Sequence, residues 1–194
     1  MIPAFLLVLV AVVYRIATGI LVESGSATWL SNFAPLAAIA LCAAVYFPPK
    51  LRFTVPLLAL LVSDFVLNSY YGANMLDPLI LGRYLALIAV GCLGLLFINR
   101  ASFKTMLPAS VGGSVIFYAI SNAFSWISDP GYMKNFAGFI QALTVGLPGY
   151  APTWVFFRNS LVSDLLFTGI FVLAVRYGRS AERSRATTAQ PRPA

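Results

Sequence analysis

Six stretches of this chain run on with almost no charge: Ile2 to Val22, Phe33 to Phe47, Val55 to Tyr71, Leu79 to Ile98, Met106 to Ile127 and Trp154 to Tyr177. Glu23-Ser24-Gly25-Ser26 ends the first, Pro48-Pro49 the second and Gly72 the third. A bilayer core is about 30 Å thick and takes roughly 20 apolar residues per helix. Helices satisfy every backbone group within one segment, as lipid demands. The expected fold is therefore an all-α, polytopic membrane helix bundle with six transmembrane helices over residues 1–178. The second run is short, so its helix must start near Trp29 or thin the bilayer locally.

Composition excludes the soluble alternative. Charged residues make up 10% of the chain and hydrophobic ones 60%, against about 25% charged in a soluble domain. The net charge of +7 does not signal nucleic acid. Arg176, Arg179, Arg183 and Arg185 simply follow the last apolar run, and no basic patch with interleaved aromatics occurs. Residues 179–194 are expected to form a disordered, basic cytoplasmic tail. Met1-Ile2-Pro3 offers no basic stretch ahead of the first run, which reads as an uncleaved span. There is no histidine, and Cys42 and Cys92 both lie in apolar runs, so no metal and no cofactor is expected.

Charge also orients the bundle. With the N-terminus inside, the inner segments hold Lys50, Arg52, Arg100, Lys104, Arg176, Arg179, Arg183, Arg185 and Arg192, and the outer ones only Lys134. That bias predicts both termini in the cytoplasm, with the protein in the inner (plasma) membrane. Between the last two runs, Asp129-Pro130-Gly131 signals a turn, and Phe136 to Leu147 is too short to span. A re-entrant or interfacial segment fits it. Trp29, Trp126, Tyr132 and Trp154 would lie near the outer interface, as an aromatic belt or the rim of a pocket.

Five ionisable residues fall inside the runs: Arg15, Asp64, Arg83, Arg158 and Asp164. Each costs about 2.5–3.5 kcal/mol at a helix centre, so such groups face the interior and pair. Polar neighbours extend their faces. Asp64, Asn68 and Tyr71 share one side of the third run, and Ser160, Asp164 and Thr168 one side of the last. Ser114, Tyr118, Ser121, Asn122 and Ser125 stripe the fifth. Three such stripes imply a common polar interior, although serines and threonines also serve as plain interhelical glue. Leu61-Val62-Ser63-Asp64 is repeated as Leu161-Val162-Ser163-Asp164, either by chance or as the trace of an inverted repeat. The second run is crowded with alanines at small-xxx-small spacing, which allows close helix approach.

Several of these pieces occur together in a known pattern. Asn32-Phe33-Ala34-Pro35-Leu36, Val55-Pro56-Leu57 leading to Ser63-Asp64, Ser121-Asn122 with Trp126, and Phe156-Phe157-Arg158-Asn159-Ser160 leading to Asp164 span roughly residues 30 to 170. The chain in this respect resembles an uncharacterised family of bacterial six-helix membrane proteins. That family is similar in architecture to the substrate-binding S components of energy-coupling-factor vitamin transporters. Ala123 departs from the pattern, where an aromatic is expected. The resemblance implies a fold and an outward-facing pocket, and no particular substrate.

The leading functional expectation is a protein that binds or transports a small solute. Its site would draw on Asp64, Asn68, Arg83, Asn122, Trp126, Arg158 and Asp164. Arg158 or Arg83 would hold an anionic group, Trp126 would stack on a ring, and Tyr132 to Tyr150 would act as a lid. No GxxxxGK[ST] loop occurs, so active uptake would need a separate coupling or ATPase subunit, or an ion gradient acting through Asp64 or Asp164. The alternative is a scaffold of the cell envelope with no ligand. Enzymatic activity is not expected. Two aspartates can form an acid/base pair, but Ser-Asp-Phe and Ser-Asp-Leu lack a glycine-rich setting, and without histidine no Ser/His or Cys/His set can form.

Overall fold

The computed structural model describes residues 2–72 and 78–189. Those residues form seven α-helices and one 3-10 turn, with no strand among them: α1 (Ile2–Glu23), the turn Thr28–Leu30, α2 (Leu36–Tyr46), α3 (Thr54–Tyr71), α4 (Pro78–Leu95), α5 (Phe103–Ser128), α6 (Phe136–Leu143) and α7 (Thr153–Ala189). Local signals set the boundaries. Gly72 closes α3 in the left-handed conformation, at φ +65°. Ser102 and Thr105 form a reciprocal capping box at the start of α5. Asn135 caps α6 by accepting from the Gly138 N–H.

By length and composition, α1, α3, α5 and the Thr153–Gly178 part of α7 can cross a membrane, while α2 and α4 are shorter apolar helices. Six transmembrane helices are expected from the sequence; among the described residues, four helices are long and apolar enough to cross a membrane. The outer faces of α1, α3, α4, α5 and α7 carry exposed apolar side chains such as Leu9, Phe65, Leu85, Val115 and Leu166. Polar side chains are turned inward, which is the reverse of a soluble bundle.

The second run departs furthest from expectation. It contains an 11-residue helix, about 16 Å long, roughly half the thickness of a bilayer core. Residues 31–35 ahead of it are not helical. Every residue from Ala37 to Val45 is buried, because α2 packs against α1, α3, α4, α5 and α7 at once. Its all-round apolar surface suits a helix enclosed by others. Alanine makes the enclosure tight. A Cβ placed on Gly94 of α4 would stand 2.7 Å from Ala44 Cβ and 2.9 Å from the Leu41 carbonyl oxygen.

Contacts along α1 and α7 define the two ends of the bundle. Pro3 lies beside Gly178, and Phe5 packs edge-on against Phe47. At the far end, Asn159 holds the backbone at Trp29 and Ser31. Both helices therefore run the full depth in opposite directions, with Pro3 and Gly178 at one end. The connection following α2 lies at that end too, and so does the start of α5, where Ala101 to Lys104 share a cleft with Val172, Val175 and Arg176.

Past residue 178 the structure keeps α7 helical to Ala189, where a disordered tail was expected from residue 179. The segment from 179 to 189 has no glycine or proline, so nothing in it breaks the helix. Residues 190–194 lie outside the described residues. Gly94→Val should force α4 away from α2 and lower stability by about 1–3 kcal/mol. A denaturant titration in detergent, compared with the exposed-face control Leu85→Val, would check this.

Candidate functional site

The site begins where α2 begins. A helix leaves its first N–H groups without intrahelical partners, and those of α2 lie deep in the bundle. Asp164 of α7 supplies the acceptors. The Ala38 N–H donates to Asp164 Oδ1 at 2.8 Å, and the Ala37 N–H bonds to the same carboxylate. The Ser114 hydroxyl of α5 donates to Asp164 Oδ2 at 2.8 Å. Asp164 is 2% exposed, so these bonds replace water that it cannot reach. Just above, Asn159 donates to the carbonyls of Trp29 and Ser31, at 2.8 and 2.9 Å, and the Ser160 hydroxyl donates to that of Asn32 at 2.9 Å. Asn32 sits at φ +56°, a left-handed conformation that asparagine tolerates better than most residues. One face of α7 thus holds the non-helical approach to α2 and its first turn.

A second buried carboxylate lies across the bundle. Asp64 of α3 is 2% exposed and takes charge from two sides. Arg15 Nη2 of α1 donates to Asp64 Oδ1 at 2.6 Å, and Arg15 Nη1 donates to the Ser63 hydroxyl. Arg83 Nη2 of α4 stands 3.3 Å from Asp64 Oδ2, in ion-pair range but without hydrogen-bond geometry, so Oδ2 makes no hydrogen bond among the described residues. The buried Nε of Arg83 likewise finds no acceptor there.

Between these centres lies a cavity of about 400 Å³, within the range of small-molecule sites. Its walls come from α1, α3, α4, α5, α7 and the 32–37 segment. Polar groups include Arg15, Asn32, Asn68, Arg83, Ser114, Tyr118, Ser121, Asn122, Ser160 and Asp164; Leu79, Ile80, Phe117 and Phe156 supply apolar wall. Asn32, Ser125 and Thr153 place it towards the end of the bundle away from Pro3 and Gly178.

The residues expected to form a site divide accordingly. Asn68, Arg83, Asn122 and Asp164 line the cavity, and Asp64 stands behind Arg15 and Arg83 as their shared counterion. Trp126 and Arg158 do not line it. The Trp126 indole N–H donates to the Met133 carbonyl at 2.9 Å and its ring packs on Phe139, which fastens α5 to the turn before α6. Arg158 is exposed, bonds Asn159 Oδ1 and lies over the Trp154 ring. No residue from Tyr132 to Tyr150 lines the cavity; the short helix α6 packs on α5 and α7, with the Tyr118 hydroxyl donating to the Leu143 carbonyl at 2.5 Å. Sequence reasoning left Arg15, Asn32 and Asn159 out of the site. Helical phase alone separates Arg158 from Ser160 and Asp164, which at about 100° per residue stand roughly 160° and 120° from it around α7.

Asp64→Leu should leave the buried Arg15 and the half-buried Arg83 without their counterion and destabilise the fold by about 3–5 kcal/mol. Asp164→Ala should cost about 1–3 kcal/mol, because the α2 N–H groups lose their acceptor. Detergent-phase unfolding would measure both, and a loss below about 0.5 kcal/mol for either would contradict the assigned role.

No curated protein and no solved structure matches the chain at a significant level. A family model does, over residues 1–185. The match agrees with the uncharacterised family expected from the motifs and carries no likeness to S components. The chain belongs to DUF6580, a family of unknown function.

Proposed function

We propose that this protein binds a small solute in the cavity between α1, α3, α4, α5 and α7, as the capture or transport unit of an inner-membrane system, without enzymatic activity. The observation that carries the reading is the cavity itself: about 400 Å³ of polar-walled space inside a bundle whose outer faces are apolar. A scaffold needs apolar surfaces for its partners but has no use for this space. Serines, asparagines and arginines lining a void inside lipid are costly unless something meets them.

The chain crosses the membrane six times in this reading. The short helix α2 together with residues 29–35 counts as the second crossing, because that segment joins Asn159 at one end of the bundle to Phe5 at the other. Basic residues then put both termini in the cytoplasm, and the cavity faces outward. A broken helix whose N-terminus meets the site is an arrangement that transporters use at midplane sites. As in the S components that the motifs resemble, active uptake would fall to a separate coupling or ATPase subunit.

The test is the native mass spectrum of gently extracted protein. A reproducible small-molecule adduct is expected, and Ser121→Trp, which fills the cavity, should remove it while leaving the fold intact. A bare polypeptide, or an adduct unchanged by Ser121→Trp, would reject the reading in favour of a ligand-free scaffold. Reporter fusions give an independent check on orientation: a fusion at the C-terminus should read as cytoplasmic and one at Pro130 as external.

A further inference from the structure

This inference rests on the binding role just proposed and names the class of solute. We infer that the cavity takes a small organic anion, with a carboxylate-like head against Arg83 and Arg15 and an uncharged body along the apolar wall.

The argument starts from a charge count. Arg15 and Arg83 converge on one carboxylate, Asp64, so the cluster carries one positive charge in excess. Within the bundle an uncompensated charge is expensive, and such groups normally pair. The two arginines also line the cavity, while Asp64 does not. The cavity therefore meets guanidinium groups, with their counterion behind them.

The engagement of the two arginines differs. Arg15 is the more heavily engaged: it makes a 2.6 Å bond to Asp64, another bond to Ser63, and its side chain is 9% exposed. Arg83 approaches Asp64 at 3.3 Å without making a hydrogen bond, keeps a buried Nε without an acceptor among the described residues, and has a side chain 30% exposed. Guanidinium presents its donors as a planar fork that suits two oxygens at once. Arg83 thus has the charge and, on a partly exposed side chain that lines the cavity, uncommitted donors for a second carboxylate.

Asp164 lines the same cavity but does not cancel this excess. It forms no ion pair with either arginine, and each of its oxygens already accepts from the protein, Oδ1 from Ala38 and Oδ2 from Ser114. The partial positive charge of the α2 N-terminus, roughly half a unit, offsets part of its charge locally. The body of the solute is set by Leu79, Ile80, Phe117 and Phe156, which offer no charge.

The test uses two matched series: hexanoate, hexanamide and hexylamine; and 3-phenylpropionate, its amide and its amine. The readout is the concentration that half-saturates the shift in thermal unfolding midpoint of the full chain in detergent. At least one carboxylate should bind about tenfold more tightly than its amide, the expected value of one charge-assisted bond, and its amine should not bind. Arg83→Gln should abolish that preference, Arg83→Lys should keep part of it, and Ser121→Trp should remove binding. An amide or amine that matches its carboxylate in the wild type would overturn the anion assignment and leave the binding role standing. A carboxylate preference that survives both Arg83→Gln and Ser121→Trp would place the anion elsewhere and overturn it too. If no probe shifts the midpoint, the co-purified adduct decides: an uncharged or cationic adduct overturns this inference alone, an anionic one lost in Arg83→Gln upholds it, and no adduct at all overturns both readings.

Discussion

The contact between the Asp164 carboxylate and the first turn of α2 is the constraint on which the remainder of the structure depends. A helix that begins inside an apolar bundle brings unpaired N–H groups to a place without water, each worth a few kcal/mol if left alone. A carboxylate from a neighbouring helix is an unusually good answer, since it accepts several bonds and carries the charge that a helix N-terminus favours. Once that contact is made, α2 can be short and wholly apolar. The non-helical approach at residues 31–35 then becomes wall for a cavity, because the helix that would have filled the space starts lower down. Asn159 and Ser160, one turn before Asp164 on α7, fix the approach by its carbonyls. Helix start, loop conformation and cavity are one device.

The Arg15, Asp64 and Arg83 cluster works by a different balance. Each arginine would be costly alone, and the shared aspartate makes both tolerable. Because three groups carry an odd number of charges, the balance is incomplete, and the unsatisfied part faces the cavity. A pure packing role would be served better by one arginine and one aspartate. Such a cluster can link α1, α3 and α4 and still keep a donor in reserve, which is how a structural group and a recognition group come to be the same residue.

Much of the architecture was legible because lipid imposes simple rules. Apolar runs marked helices, and i, i+4 spacing put Asp64 with Asn68 and Ser160 with Asp164 on inward faces. What stayed hidden was adjacency. Arg15 stood out as a charge inside a run, yet nothing in the sequence says that α1 lies beside α3, so its place in the cavity wall was missed. Trp126 and Arg158 drew attention by residue type, and the fold used both at the periphery. The second run misled for a physical reason: hydropathy is the same for a helix facing lipid and for one enclosed by other helices. Its shortness and its dense alanines were the signals that it would be enclosed, and residue 32, an asparagine able to adopt positive φ, marked where the helix could not yet begin.

The repeated Leu-Val-Ser-Asp segment shows how far identical residues can diverge in use. In both copies the serine and aspartate are buried and the valine is exposed, as the turn of a helix requires. In the first copy the positive partner is a side chain, Arg15, which also engages Ser63. In the second it is the N-terminus of α2, and Ser163 has no hydrogen-bond partner among the described residues. A guanidinium brings a full charge and a helix end roughly half of one. The two aspartates are therefore solutions to the same problem, a carboxylate kept in a dry bundle by a positive partner, at two strengths. The weaker solution borders the cavity directly, while the stronger stands behind the arginines that do. The polarity of the cavity follows: its bare charge is positive, and its one bordering carboxylate is already committed to the backbone that shapes it.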